Sequence, residues 1–245
     1  MDNLLDFERC RAFINCQIQP DEGKPVATIA PTPAHLAVTL SRQTGVGGHA
    51  VAENLASWLD ARVPGEGRQW TVFDRNLVER VLEDHHLPAK LAHFMTEARR
   101  SAIEDMVEEL LGLHPSSWTL AQQTTETILK LAELGHVVVV GRGANRVAAK
   151  LPHVFHVRLI GSEERRVEHV SHQLKLSAKA ARAFIEREDQ SKRRYLRKLF
   201  KADIDDPMAY HLILNMDSIE PKAAAEVIGH AVLTWAKLSA PSPRI

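Results

Sequence analysis

The chain has 245 residues, of which 44% are hydrophobic and 25% are charged. This length suits one globular domain with inserted lobes, and the apolar content excludes an intrinsically disordered chain. The 31 Lys and Arg residues are balanced by 31 Asp and Glu residues. A non-specific nucleic-acid binder normally carries a basic excess, so that class is disfavoured. The longest uncharged run, residues 25–41, is interrupted by Pro31 and Pro33, so it predicts no membrane-spanning helix.

The first 35 residues are predicted to form a helix followed by a proline-rich linker. Apolar residues at loosely helical spacing come before Pro20, and the prolines that follow prevent a continuous helix. The acidic start lacks the basic stretch of a secretion signal. The two cysteines, Cys10 and Cys16, do not form a disulfide framework. We therefore expect a soluble, reduced, cytoplasmic protein.

Residues 36–240 are predicted to form an α/β domain. Short apolar runs at residues 36–41, 136–140, 154–160 and 212–214 predict buried strands, and helical patterns separate them. Such an alternation indicates a parallel sheet with right-handed crossovers, which binds its ligands at the carboxyl ends of the strands. Surplus helical regions at 75–134 and 177–205 are therefore candidates for lobes that close over that edge.

A glycine-rich loop connects the first predicted strand to the first predicted helix. Its sequence, residues 41–49, reads SRQTGVGGH, with three glycines in four positions. Glycines let backbone amides approach an anion closely, and the start of a helix adds positive potential. A tight turn without a ligand is the alternative, but the strand, the loop and the helix together favour phosphate binding.

The sequence resembles the cytidylate kinase-like family, a P-loop branch related to bacterial cytidylate kinases. The resemblance depends on a series of short motifs whose order and spacing extend over about four-fifths of the chain. These motifs are residues 41–48 (SRQTGVGG), 73–75 (FDR), 140–144 (VGRGA) and 164–167 (ERRV), followed by Asp189, Tyr195, Phe200, Asp206-Pro207, Tyr210 and Asn215.

The resemblance implies a P-loop NTPase fold of the nucleoside monophosphate kinase type. Such a fold has a parallel five-stranded core sheet flanked by helices, a helical NMP-binding insert (here 75–134) and a lid (here 177–205). The implied activity is ATP- and Mg²⁺-dependent transfer of a phosphoryl group to a (d)CMP-type acceptor. The donor phosphates would lie on the loop residues Gly45, Val46, Gly47, Gly48 and His49. The acceptor nucleotide would lie against Asp74, Arg75 and Arg142, with Arg142 contacting its phosphate.

The loop departs from a standard P-loop at three positions. The standard pattern is G-x-x-x-x-G-K-[ST], in which Lys reaches the β- and γ-phosphates and the hydroxyl binds Mg²⁺. Here Arg42, Gly48 and His49 stand at the first Gly, the Lys and the Ser/Thr positions. The family branch has a second Gly at the Lys position, but imidazole is a poor ligand for Mg²⁺. A nucleotide-binding sensor or pseudo-kinase without turnover is therefore the alternative function.

The predicted lid carries a strongly basic helix. Residues 182–201 contain eight Lys or Arg and three acidic residues. A solvated helix face is the simplest interpretation, and a nucleic-acid-binding surface at residues 192–201 is another. In a kinase, lid cations would stabilise the charge of the transferring phosphoryl group. The predicted catalytic set is Arg187, Lys192, Arg193 and Arg42, with Asp189 and Arg194 as lid support.

The thirteen histidines do not predict a metal site. His169 and His172 could share a helix face, but no carboxylate stands at the spacing of a third ligand and no HExxH motif occurs. The sequence contains neither a G-x-S-x-G motif nor the Ser-His-Asp order of a hydrolase. The predicted partners are nucleotides, with no resident metal, no membrane and no nucleic acid.

Overall fold

The computed structural model describes residues 35–63, 69–74 and 119–239. Five strands form one parallel sheet in the order β2-β3-β1-β4-β5. Central β1 pairs with both β3 and β4, so the loop that follows β1 lies at the middle of the carboxyl edge. The strand bounds are β1 (Ala37–Arg42), β2 (Thr71–Phe73), β3 (Val137–Val140), β4 (Val154–Ile160) and β5 (Leu212–Asn215).

Six α-helices lie between or after these strands in the described ranges. Ser162 and Ser177 cap α4 and α5 by accepting hydrogen bonds from the backbone N–H groups of Arg165 and Ala180. The bounds are α1 (Gly48–Asp60), α2 (Thr119–Leu134), α3 (Ala144–Val147), α4 (Glu163–Leu174), α5 (Ala178–Phe200) and α6 (Pro221–Ser239).

The main core lies between the sheet and the pair α1 and α6. Alternate residues of β1 and β3, such as Val38 and Val138, pack with Leu55 of α1 and Ile228 of α6. The intervening strand residues are buried as well, and α2 and α3 contact β3 and β1. Burial on both faces explains why β3 is a continuous run of four valines.

Helices α1 and α6 approach each other closely at Gly229. A Cβ atom built on Gly229 would lie 2.3 Å from Cε3 of the Trp58 ring, so the indole of α1 packs directly on the backbone of α6. The ring is also within 4.8 Å of the His230 ring centroid. Since α1 begins at the glycine-rich loop, this contact helps to fix the direction of the helix that carries the loop.

A pair of histidines lies at the β4–β5 side of the sheet. His156 in β4 is buried, and its Nδ1 is 2.7 Å from Oγ1 of Thr39. Its ring stacks on that of His211, with centroids 5.0 Å apart and planes 11° from parallel. Burial, reinforced by the charges of His211 and Arg146, lowers the pKa of His156 to about 4.

The structure confirms the parallel α/β fold class and the presence of the four strands that the apolar runs predict. The predicted burial of the last one is wrong, because β5 lies at the edge of the sheet, with Ile213 38% exposed and its neighbours only half-buried. Strand β2, only three residues long, is not among those four runs. On the last helix, Ile228 and Val232 are fully buried whereas Val227 is 46% exposed. None of the described helices is long and apolar enough to cross a membrane. The predicted N-terminal helix and linker, up to residue 34, lie outside the described residues.

Candidate functional site

Two glycines of the glycine-rich loop have backbone angles that other residues rarely adopt. Gly45 and Gly47 have φ angles of 89° and 73°, in the left-handed region that favours glycine. Gly47 caps the N-terminus of α1, with no side chain bonded to the helix amides. A Cβ on Gly45 would lie 2.8 Å from the carbonyl oxygen of Arg166, so this glycine also allows α4 to approach the loop. Val46 is a core residue of the main cluster.

Helix α5 is attached to the loop through the carboxylate of Asp189. One carboxylate oxygen, Oδ1, accepts hydrogen bonds from the backbone N–H (2.9 Å) and the hydroxyl (2.7 Å) of Thr44. Lys192 donates to the same oxygen (3.1 Å) and to the Thr44 hydroxyl (2.5 Å). Arg166 of α4 donates to the other oxygen, Oδ2, at 2.7 Å. We call these four residues the Asp189 clasp.

Asp189 is buried and the other three residues of the clasp are half-buried, and their charges influence one another. Burial raises the pKa of Asp189, but the Thr44 hydrogen bonds and the Lys192 charge outweigh burial, and the pKa lies below its usual value. Burial lowers the pKa of Lys192, and the charge of Arg42 lowers it further, while Asp189 opposes both effects. The carboxylate is therefore ionised at neutral pH and bonded to two cationic side chains.

The side chain of Arg42 crosses the loop toward the end of β3. Its Cγ would be 2.9 Å from a Cβ placed on Gly48, and its Nη1 would be 2.2 Å from a Cβ on Gly141. Burial lowers the pKa of Arg42, as does the charge of Arg142, and the carboxylates of Asp74 and Asp189 oppose this effect. The guanidinium thus lies in a partly desolvated position among the carboxyl ends of the strands.

A cavity of about 200 Å³, which we call the inner cavity, lies between these strand ends and α5. Three cationic side chains line it, those of Arg42, Arg142 and Lys192, together with one carboxylate, Glu188. Arg142 has a φ angle of 52° between two glycines with positive φ. A left-handed non-glycine residue here is strained backbone of the kind that positions functional side chains. The inner cavity is therefore suited to an anionic ligand.

The aromatic residue Tyr195 forms part of the same wall. The Arg142 guanidinium carbon is 6.0 Å from the centroid of its ring. Burial raises the pKa of Tyr195, and the Arg142 charge opposes that shift. Phe200 meets the Tyr195 ring edge to face and packs on Gly143, where an added Cβ would be 2.7 Å from the Phe200 ring. The C-terminal half of α5 is thereby fixed over the β3–α3 turn.

A second, more open depression lies on the other side of the loop, and we call it the outer groove. It has a volume of about 530 Å³ and is lined by the loop glycines, by α4 and by residues 216–221 after β5. His169 of α4 lines it, with Nδ1 2.7 Å from the carbonyl oxygen of Gly45. Arg165 also lines it. Three carboxylates, those of Glu168, Asp217 and Glu220, line it too. Of the two spaces, the inner cavity is therefore the one with an excess of cationic side chains.

A second ion-pair network joins α5 to β4. Asp205 bonds Arg158 through Oδ1 (2.5 Å) and Arg193 through Oδ2 (3.0 Å). Arg158 is buried in β4 and also donates to the Ser41 hydroxyl at 2.8 Å. A charged group in a buried strand needs such partners. Arg193 is thus engaged with Asp205 at the edge of the site.

Several residues of the predicted site lie away from the two spaces. Arg187 is 69% exposed and pairs with Glu188 on its own helix, and Arg194 is exposed as well. Helix α5 presents both to solvent because they lie opposite its buried stripe. His49 is exposed in the first turn of α1 and lines neither space. Arg75 and the predicted NMP-binding insert as far as residue 118 lie outside the described residues.

Sequence reasoning missed three residues that the structure brings to the loop or its support. They are Arg166, His169 and Arg158. Two signals could have found them. Arg166 and His169 are three apart on a predicted helix and therefore share a face. Arg158 interrupts an apolar strand, which predicts a buried charge with a specific partner.

Comparisons with known proteins agree with this architecture. A model of the cytidylate kinase-like family matches residues 37–218. A crystal structure of an uncharacterized protein from Eubacterium ventriosum ATCC 27560 matches with a TM-score of 0.65 at 17% identity, covering 82% of this chain and 99% of that one. Shikimate kinase from Bacteroides thetaiotaomicron has a TM-score of 0.43 at 14% identity, covering 83% and 97%. No curated protein gives a significant match. Because the matched residues make up well over half of this chain, the chain belongs to the cytidylate kinase-like family.

Proposed function

We propose that this protein is a nucleoside monophosphate kinase that transfers the γ-phosphoryl group of ATP to a (d)CMP-type acceptor in the cytoplasm. The observation that carries the proposal is the convergence of Arg42, Arg142 and Lys192 on one cavity beside a loop with left-handed glycines. Three cations with one carboxylate leave excess positive charge, which favours phosphate groups. Membership of a kinase-like family supports this use of the site.

The two spaces suit the two substrates. The outer groove would hold the donor nucleoside, with the ATP phosphates on the amides of residues 45–49. The inner cavity would hold the acceptor phosphate against Arg142, with Asp74 and Arg75 on the nucleoside side. A phosphate oxygen of the acceptor then attacks the γ-phosphorus, the bond from the γ-phosphorus to the β–γ bridging oxygen breaks, and ADP leaves with that electron pair. The chain contributes position and positive charge.

Lys192 is the lid residue that the geometry supports best. It lines the inner cavity and touches the loop through Thr44, whereas Arg187 does neither. As charge spreads over the transferring oxygens, a cation at this position would stabilise it. Lys192 lacks the bidentate fork of arginine, so it would act as a point charge. Asp189 would position it.

Mg²⁺ fits this site only as part of the nucleotide substrate. The position that normally supplies a metal-binding hydroxyl is His49, which is exposed. In the described ranges, no cluster of three or more His, Cys, Asp or Glu side chains could hold a metal ion. Phosphate oxygens and water would therefore supply the oxygen ligands that Mg²⁺ prefers.

An ADP-release assay tests the proposal directly. Purified protein is incubated with Mg²⁺-ATP and a panel of CMP, dCMP, UMP and AMP, and the diphosphate product is measured. Acceptor-dependent ADP release, fastest with a cytidine nucleotide, is the expected result. Binding of ATP by calorimetry without ADP release for any acceptor would instead identify a nucleotide sensor without turnover and would reject the kinase.

A further inference from the structure

The structure places an arginine where the loop lacks its lysine. In a standard P-loop the lysine follows the last loop glycine and reaches back over the phosphates. Here that position is Gly48, the first residue of α1. The Arg42 side chain lies over Gly48, because a Cβ on Gly48 would be 2.9 Å from its Cγ and 3.2 Å from its Cβ. The space next to the missing side chain is therefore filled by Arg42.

The far end of this side chain reaches the cavity. Nη1 of Arg42 lies against the backbone of Gly141, at the end of β3, where an added Cβ would be 2.2 Å away. Together with Arg142 and Lys192, Arg42 lines the inner cavity. Its guanidinium is thus held beside the strand ends, on the side of the loop where the transferring phosphoryl group would lie.

We propose that Arg42 supplies the charge that a lysine at position 48 supplies in a standard P-loop, and that Gly48 is glycine so that Arg42 can pass. The proposal rests on the proposed kinase function and assigns to Arg42, a member of the predicted catalytic set, a specific role in it. Arg42 would contact the β- and γ-phosphate oxygens, neutralising charge that grows on the β–γ bridging oxygen as its bond to phosphorus breaks. A guanidinium remains charged even when it is partly desolvated, which a lysine does less well.

The first arm of the test concerns packing and needs no nucleotide. Gly48→Ala is introduced into the wild type and into Arg42→Gly, and thermal unfolding is followed for all four proteins. In the wild type the new methyl group meets Arg42, so the melting temperature falls by several degrees. In the Arg42→Gly background the obstacle is gone, so the same change leaves the melting temperature unchanged or raises it, since alanine is the better helix former. Equal effects in both backgrounds overturn the packing argument.

The second arm concerns catalysis and exchanges the two residues. Arg42→Gly is expected to lower kcat by on the order of 10³-fold, as loss of a transition-state arginine does. Gly48→Lys alone also loses activity, because its side chain collides with Arg42. The double variant Arg42→Gly/Gly48→Lys recreates the first Gly and the Lys of the standard pattern, and its kcat is at least tenfold higher than that of Arg42→Gly. Arg182→Ala, an exposed arginine paired with Glu163, is the control and keeps wild-type turnover.

The outcomes separate this inference from the proposed function. If the wild type is active and Arg42→Gly folds and turns over normally, the role of Arg42 is rejected but the kinase function is not. The same holds if the double variant shows no recovery of activity. A wild type without turnover overturns the kinase. Calorimetry then decides on Arg42 alone: Arg42→Gly should weaken ATP binding at least tenfold while weakening AMP binding much less. Equal weakening of both, or of neither, rejects the contact with the β- and γ-phosphates.

Discussion

Replacing the central carboxylate of the Asp189 clasp should destabilise the fold measurably. Asp189→Asn keeps the shape of the side chain but removes the charge that Arg166 and Lys192 share, with Oδ–N distances of 2.7 and 3.1 Å. It also turns an amide group toward donors, including the Thr44 amide at 2.9 Å. A hydrogen bond to a charged group contributes about 1.5–3 kcal/mol, and breaking a buried ion pair costs about 3–5 kcal/mol. Because Lys192 keeps 25% exposure, we expect a loss of about 3 kcal/mol.

Urea unfolding followed by tryptophan fluorescence measures this loss. The control is Glu186→Gln, which removes an exposed carboxylate on the same helix, where it bonds Gln190. Its free energy of unfolding should stay within about 0.5 kcal/mol of the wild type. For a domain of this size, about 3 kcal/mol corresponds to a melting temperature lower by roughly 6–12 °C. If Asp189→Asn lies as close to the wild type as the control does, the clasp does not hold α5 on the loop.

The acid side of the stability curve gives an independent check. The folded pKa of Asp189 lies below its unfolded value, so the folded state holds fewer protons than the unfolded state between the two. The contribution of Asp189 is therefore complete above the unfolded pKa of about 3.9 and is lost as the pH falls through the folded pKa. In that pH window, the difference in the free energy of unfolding between the wild type and Asp189→Asn should disappear. A constant difference down to the lowest pH would contradict an ionised clasp.

Three further predictions follow from the site and the core. Lys192→Ala should lower kcat on the order of 10²-fold or more while Arg187→Ala, on the exposed side of α5, leaves it unchanged; equal kinetics of the two variants would reject the assignment of the lid cation. Arg142→Ala should raise the KM for the monophosphate at least tenfold and leave the affinity for ATP nearly unchanged. Calorimetry with each ligand separately checks this, and an equal loss of affinity for both ligands would mean that Arg142 has a structural role. The pKa of His156 is lowered to about 4, whereas a histidine in the unfolded chain titrates near 6.5. The free energy of unfolding should therefore fall by about 3 kcal/mol as the pH drops from about 6.5 to 4. An NMR signal of the His156 ring that titrates near pH 6.5 would disprove this prediction.

The sheet was largely predictable because parallel strands buried on both faces are apolar at every position. Strand β3 has this pattern throughout. Strands β1 and β4 are mostly apolar but include Thr39, His156 and Arg158, and they still give recognisable runs in the sequence. Strand β2 has only three residues, Thr71–Phe73, which is too short to show a period. The loop was predictable for a similar local reason, because glycines between a strand and a helix are a sequence signal in themselves.

The face of the basic helix that meets the loop was predictable only in part. Charge counting treats all eight cations of residues 182–201 alike, so it placed Arg187 in the catalytic set together with Lys192 and Arg193. The helical period separates them: Ile185, Asp189 and Leu196 form a buried stripe, and Lys192 lies on the same side. Which partner that stripe meets depends on tertiary structure, since Thr44 is 145 residues from Asp189. No local pattern in the sequence could identify that contact.

The contact between Gly229 and Trp58 limits how this protein could be stabilised by design. Glycine inside a helix is less favourable than alanine by about 1 kcal/mol, so Gly229 in α6 would be an early choice for replacement. The added methyl group would lie 2.3–2.4 Å from two atoms of the Trp58 ring. In a packed core, neither the ring nor the helix backbone can move away without a cost in free energy. Overpacking of this kind costs about 1–3 kcal/mol. An engineer who wants a more stable protein should therefore leave Gly229 unchanged and choose exposed positions of α5 instead.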